Sequence, residues 1–200
     1  MGAHVIRKDS TGPYTSDRWG DYSAINVDPS DHRTFWAHHE WASGAWRTWI
    51  HGFKPEATMT GTVTLGSYVA SPAGHVITLE FRTPSTLNVV ASFNAVLDGA
   101  GNYTVPDVLT GMYDIALKHG TWLRKVRPSQ VVAGPATSGV NFTLINGDVN
   151  DDNSVDISDL TLVLTNFGGT MGPAELNGDG SVDLLDLNIV LTNFGAAGDL

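Results

Sequence analysis

The stretch Asp148-Val-Asn150-Asp-Asp152-Asn153-Ser154-Val155-Asp156-Ile157-Ser158-Asp159, continuing as Leu160-Thr-Leu-Val-Leu164-Thr-Asn-Phe167-Gly168, decides how this chain is read. It returns 27 residues later as Glu175-Leu-Asn177-Gly-Asp179-Gly180-Ser181-Val182-Asp183-Leu184-Leu185-Asp186, then Leu187-Asn-Ile-Val-Leu191-Thr-Asn-Phe194-Gly195. Thirteen of the 21 positions are identical between the copies. Each copy is an oxygen-rich loop that runs into an apolar segment of helical spacing. The tail is therefore a duplicated loop–helix unit.

The spacing of the oxygens suits a calcium ion. Calcium takes six to eight oxygen ligands, and an EF-hand loop supplies them from positions 1, 3, 5, 7, 9 and 12. In the first copy those positions hold Asp148, Asn150, Asp152, Ser154 (through its carbonyl), Asp156 and Asp159. In the second they hold Glu175, Asn177, Asp179, Ser181, Asp183 and Asp186. Position 6 requires a left-handed backbone, which Gly180 adopts freely and Asn153 tolerates. Val155 and Val182 at position 8 are expected to pair the two loops through a short strand. Both copies close with Asp where an EF-hand has Glu, and the second opens with Glu175. The second site is thus expected to bind more weakly or with a different geometry. Two acidic turns that merely cap helices are the plain alternative, and two loops in register argue against it.

Two loop–helix copies, Asp at position 12 and the ending Leu-x-x-Val-Leu-x-x-Phe-Gly resemble a type I dockerin over residues 147–200. The resemblance implies a small helical module that folds on two calcium ions and binds a cohesin domain of another protein, as in cellulosome-like assemblies for polysaccharide catabolism. It places partner recognition at Ile157, Ser158 and Thr165 in the first copy, and at Leu184, Leu185 and Thr192 in the second. The first pair mixes polar and apolar while the second is apolar, so the two faces are not expected to be interchangeable. Leu164 and Leu191 share a stripe with Phe167 and Phe194 and are expected in the helix core.

Residues 147–200 carry ten acids and no Lys or Arg, while residues 1–146 balance eleven acids with eleven bases. The whole formal charge of −10 thus sits in the tail. Such a segment repels itself without cations, and the chain has no basic footprint for nucleic acid. There is no apolar run long enough to span a membrane. Cysteine is absent, so neither disulfides nor thiolate chemistry are available. The polar Met1–Ser10 stretch lacks a signal-peptide core. The resemblance implies an extracellular, secreted protein, with the export signal expected upstream of this fragment.

Residues 56–146 read as all-β. Strands are expected at 61–69, 75–82, 88–97, 102–105, 111–117, 123–126, 130–132 and 140–144, separated by Ser71-Pro-Ala-Gly74, Asp98-Gly-Ala-Gly101 and Gly134-Pro135. This fits an Ig-like β-sandwich. The run Asp98–Val105 followed by Leu109–Leu117 resembles the carboxypeptidase regulatory-like, prealbumin-type sandwich, which implies a spacer. The fold class is therefore mainly β, with a small α-helical calcium-binding module of two EF-hand-like repeats, 148–168 and 175–195.

Residues 1–55 contain Arg18-Trp-Gly-Asp-Tyr22, Val27-Asp-Pro29 and a hairpin expected at 34–41 and 46–53 that turns at Ser43-Gly44. They resemble the last blade of a β-propeller. Trp36, Trp41, Trp46 and Trp49 are candidate sugar-stacking residues, although alternation divides them between two faces. His38-His39-Glu40 lacks the spacing of a zinc helix, and no catalytic constellation is assembled. The expectation is a non-catalytic C-terminal segment of a larger protein that docks on a cohesin. The alternatives are a carbohydrate-binding module using the tryptophan-rich hairpin, with polysaccharide as partner, or a purely structural calcium-stabilised domain.

Overall fold

The computed structural model describes residues 23–30, 34–42 and 46–200, with backbone alone at 40–42 and 46–47. The Arg18–Tyr22 motif and the Ser43-Gly44 turn lie outside the described residues, as do the side chains of Trp41 and Trp46. The chain divides into two units at Glu56/Ala57.

The first unit is a three-stranded antiparallel sheet: β1 (Ala24–Val27), β2 (Phe35–Ala42) and β3 (Trp46–Phe53). The expected hairpin forms with Phe35 opposite Phe53, whose rings stack at 5.6 Å. This register puts positions 36 and 46 on one face and positions 41 and 49 on the other. Trp36 is held at its edge, where Nε1 donates to Asp28 Oδ2 at 2.9 Å.

The second unit opens with a β-sandwich of β4 (Glu56–Leu65), β5 (Val76–Arg82), β6 (Val89–Val96), β7 (Asn102–Leu109), β8 (Gly111–His119), β9 (Trp122–Val132), β10 (Ala136–Thr137) and β11 (Phe142–Leu144). One sheet runs β6-β5-β8-β9. In the other, β10 and β11 lie parallel to β4, and β7 also pairs with β4. Alternation along the strands turns Met59, Val63, Ile77, Leu79, Phe81 and Leu117 into a common core. Gly61 has no room for a side chain, because a Cβ there would collide with the Val140 carbonyl oxygen. That same carbonyl accepts the Tyr103 hydroxyl at 2.6 Å, which ties the segment before β11 to β7.

The sequence divides 122–132 into two strands, whereas the structure has a single β9. Pro128 is absorbed in a bulge where Ser129 has φ 52° and the register with β8 shifts. Asp114, buried opposite, accepts the backbone N–H of Ser129 and of Ser85, both at 2.7 Å. A single carboxylate satisfies the donors that a break would have left exposed. Similarly, β7 runs through Pro106 to Leu109, and β4 ends at Leu65 instead of Val69.

The tail adds α1 (Ile157–Thr165) and α2 (Leu184–Thr192), each preceded by its acidic loop. Their core holds Val149, Val155, Val163, Leu176, Val182 and Val190, and Leu123 of β9 belongs to it. Thr121 O accepts both Gly147 N and Asp148 N, Arg124 N donates to Asn153 Oδ1, and Val69 N donates to Asn177 O. At the far end, Asp199 N donates to Arg124 O while Val126 N donates to Asp199 Oδ2. The sandwich and the tail are thus hydrogen-bonded along several segments of one unit.

Candidate cation-binding and docking site

The two loops fold alike, and most of their polar contacts repeat position by position. At position 12, Asp159 Oδ1 accepts Val149 N and Asn150 N, at 2.7 and 3.1 Å, and its Oδ2 accepts Asp156 N at 2.8 Å. Asp186 does the same with Leu176 N, Asn177 N and Asp183 N. At position 9, Asp156 and Asp183 are N-caps, accepting Ser158 N and Leu185 N. Positions 9 and 12 together form a capping box at each helix. Capping accounts for those two positions, but not for the oxygens at positions 1, 3 and 5.

Those oxygens gather at the loop mouths. Asp152 N donates to Asp148 Oδ1 at 2.9 Å and to Asn150 Oδ1 at 3.1 Å, and Asn150 Nδ2 donates to Asp152 Oδ2 at 2.7 Å. In the second loop Asp179 N donates to Glu175 Oε1 and Asn177 Oδ1, and Asn177 Nδ2 donates to Asp179 Oδ2. Glu175 folds back as its length requires, with Oε1 also accepting Gly178 N at 2.6 Å. Position 6 is left-handed in both, with φ 71° at Asn153 and 90° at Gly180. Asp148, Asp159 and Asp186 are fully buried. Among the described residues, no group of three or more His, Cys, Asp or Glu side chains converges as a ready metal cluster. In the loops, the carboxylates instead face backbone N–H groups and, at Asp148, a lysine.

Val155 and Val182 do not pair with each other. Val155 N donates to Ala196 O and Gly195 N to Val155 O, while Val182 N donates to Gly169 O and Gly168 N to Val182 O. Each loop is therefore bonded to the residues after the opposite helix. A loop followed by its helix, with none before it, lies next to the exit of the other repeat.

Leu164, Leu191, Phe167 and Phe194 are about half exposed, against the expectation of a helix core. Val163 and Val190 take the buried position. The helices stop at Thr165 and Thr192, and the positive φ of Gly168 and Gly195 turns the chain away before the stripe can extend inward. The expected recognition residues Ile157, Ser158, Thr165, Leu184, Leu185 and Thr192 are all exposed.

Sequence reading missed a polar cluster at the sandwich end that borders the second loop. Tyr68 Oη lies 3.1 Å from His75 Nε2, and His75 Nδ1 lies 2.8 Å from His119 Nε2. The His119 ring stacks on Trp122 with centroids 5.3 Å apart. A Cβ on Gly178 would lie 2.5 Å from Tyr68 Cε2, so the tyrosine ring closes directly over the second loop. The chain Tyr68 to His75 to His119, each donating to the next, satisfies the facing nitrogens when both imidazoles are neutral. Burial lowers the pKa of His75; burial first, then the His75 and Lys118 charges, lower that of His119 against the opposing bond to Val76. The unfolded chain therefore binds more protons than the folded one as pH falls below about 6.5, and stability is lost in that direction. Thermal unfolding is expected to show a lower melting temperature at pH 5.5 than at pH 7.5, with a smaller difference in His75→Gln/His119→Gln.

No family model and no curated protein matches the chain. Among solved structures it is similar to a chain of an N-terminal interface mutant of a type II cohesin–X–dockerin complex from Acetivibrio cellulolyticus, with TM-score 0.58 and 20% identity over 71% of this chain and 97% of that one. The C-terminal interface mutant of the same complex gives TM-score 0.58 and 21% identity over the same shares. A candidate carbohydrate-binding protein from Bacteroides uniformis covers 46% of this chain and 43% of that one, at TM-score 0.33 and 15% identity. At these identities the likeness to the complex is one of fold: a mainly β chain built on a β-sandwich.

Proposed function

We propose that this chain is a non-catalytic docking segment of an extracellular protein, in which a β-sandwich carries a dockerin-like tail that takes two calcium ions and binds a cohesin-type domain. The observation that carries this reading is the matched exposure of apolar residues on the two helix faces. Ile157 and Leu184 are 63% and 69% exposed, Leu164 and Leu191 53% and 52%, and Phe167 and Phe194 48% and 51%. Apolar residues left outside at matched positions of a duplicated unit suit a protein interface.

The donor set fits calcium better than a transition metal, since it consists of carboxylate, amide and carbonyl oxygens. Asp148, Asn150, Asp152, Ser154, Asp156 and Asp159 would hold one ion, and Glu175, Asn177, Asp179, Ser181, Asp183 and Asp186 the other. Bound calcium would supply the positive charge that no Lys or Arg within the tail provides. Fold-level likeness to a chain of a cohesin–X–dockerin complex is in keeping with a β-sandwich carrier.

Calorimetry and pull-down test the reading. Wild-type chain is expected to bind calcium and then a cohesin, and to lose the cohesin in chelator. Asp148→Ala/Asp152→Ala is expected to weaken calcium binding at the first loop and abolish capture. Retention of the cohesin by this variant in chelator would overturn the mechanism. Calcium binding without cohesin capture would leave a structural role, and capture on insoluble polysaccharide that ignores chelator would favour sugar binding at the tryptophan-rich sheet.

A further inference from the structure

The loops differ in their counter-charge, which the sequence conceals because the residue responsible lies thirty positions upstream. Lys118, near the end of β8, donates from Nζ to Asp148 Oδ2 at 2.8 Å and to Gly120 O at 2.8 Å, and pairs with Asp151 Oδ1 at 2.6 Å. Three acceptors match the three N–H donors of an ammonium. The Lys118 side chain is 19% exposed and that of Asp148 is fully buried. A register shift between Leu117 and His119 and the turn at Gly120, φ 47°, aim the lysine out of the sandwich toward the loop. The same turn supplies Thr121 O for Gly147 N and Asp148 N.

Among the described residues, no lysine or arginine is ion-paired to Glu175, Asp179, Asp183 or Asp186 of the second loop. The sandwich holds that loop through backbone carbonyls, with Val69 N on Asn177 O and Asn146 Nδ2 on Leu176 O, and leaves its acids without a counter-charge. We infer that Lys118 is a built-in cation of the first loop, holding Asp148 so that this loop stays folded on the sandwich without calcium, while the second loop orders only when calcium binds. This staging rests on the calcium reading above. It makes Lys118 a positioning residue, with Asp148 Oδ2 tethered and the rest of the first loop's oxygens left for the ion. A buried carboxylate that loses its only counter-charge is strongly destabilised.

Amide hydrogen exchange on the full chain, with chelator and then with saturating calcium, tests the staging. The reporters are Asp152 and Asn153, whose N–H groups bond Asp148, and Gly178 and Asp179, which bond Glu175. In chelator the first pair is expected to be protected and the second to exchange freely; calcium then protects both. Lys118→Met is expected to reduce first-loop protection in chelator by about a hundredfold or more, with calcium restoring it, which separates a lost clasp from a misfolded variant. Equal protection of the two loops in metal-free wild type, or unchanged protection in Lys118→Met, would overturn the inference. If calcium alters neither loop in wild type, the calcium reading itself fails and the staging fails with it. A Lys118→Met difference in chelator would then show only that the lysine clasps the loop.

Discussion

Alanine at both Asp159 and Asp186 is expected to leave the tail unfolded at any calcium concentration, while the sandwich remains folded on its separate core. Each carboxylate is buried and accepts three backbone N–H groups, two from the start of its loop and one from the helix N-cap. Removing one leaves those donors without acceptors inside the protein. Val149 N, Leu176 N and Asn177 N lie in buried bonds, and Asn150 N, Asp156 N and Asp183 N in partly buried ones. At roughly 1–3 kcal/mol for each unsatisfied buried donor and less for the others, the cost per site is on the order of 3 kcal/mol, a large share of the stability of a small domain. Scanning calorimetry should show the loss of a calcium-dependent transition and the persistence of a calcium-independent one. Asparagine at the same two positions separates capping from ion binding. It keeps one acceptor oxygen and loses the charge, so the metal-free fold should suffer less than in the alanine pair, while the calcium response is lost. An asparagine pair that still responds fully to calcium would mean that these carboxylates do not face the ion.

A second large effect is expected at the exposed helix faces. Leu184→Asp/Leu191→Asp should lower cohesin affinity by more than about a hundredfold, and Ile157→Asp/Leu164→Asp by less than about tenfold, measured by titration calorimetry in saturating calcium. The asymmetry follows from position 11, where the first copy has Ser158 and the second Leu185, so only the second face presents adjacent leucines at the start of its helix. All four substituted residues are more than half exposed, so the variants should melt close to wild type. Equal losses from the two pairs would mean that both faces dock equally well, and no loss from either would remove the helices from the interface.

The duplicated loops were legible because their punctuation is local. Capping residues, the left-handed position 6 and the closing glycines all act within one turn of chain. The sandwich was legible for the same reason at Ser71–Gly74 and Asp98–Gly101. The single β9 was not, because Pro128 reads as a break unless the buried Asp114, distant in sequence, is known to take up the neighbouring Ser129 N–H. The helix faces were misread on periodicity: Leu164 and Phe167 fit an apolar stripe, but a nine-residue helix ends before that stripe can bury them. The Lys118–Asp148 pair and the Tyr68–His75–His119 chain join residues from separate strands, turns and loops, and nothing in their spacing announces them. The tryptophans of the first unit were legible in part, since alternation already divides them between two faces and the strand register puts positions 36 and 49 on opposite ones.

The exchange of hydrogen bonds between Val155 and the Gly195-Ala196 exit, and between Val182 and the Gly168-Gly169 exit, has a consequence for how such a tail arises. Neither copy contains the residues that close its own loop, since each borrows them from its twin. A solitary copy excised from the chain would therefore lack the lock that closes its own acidic arc.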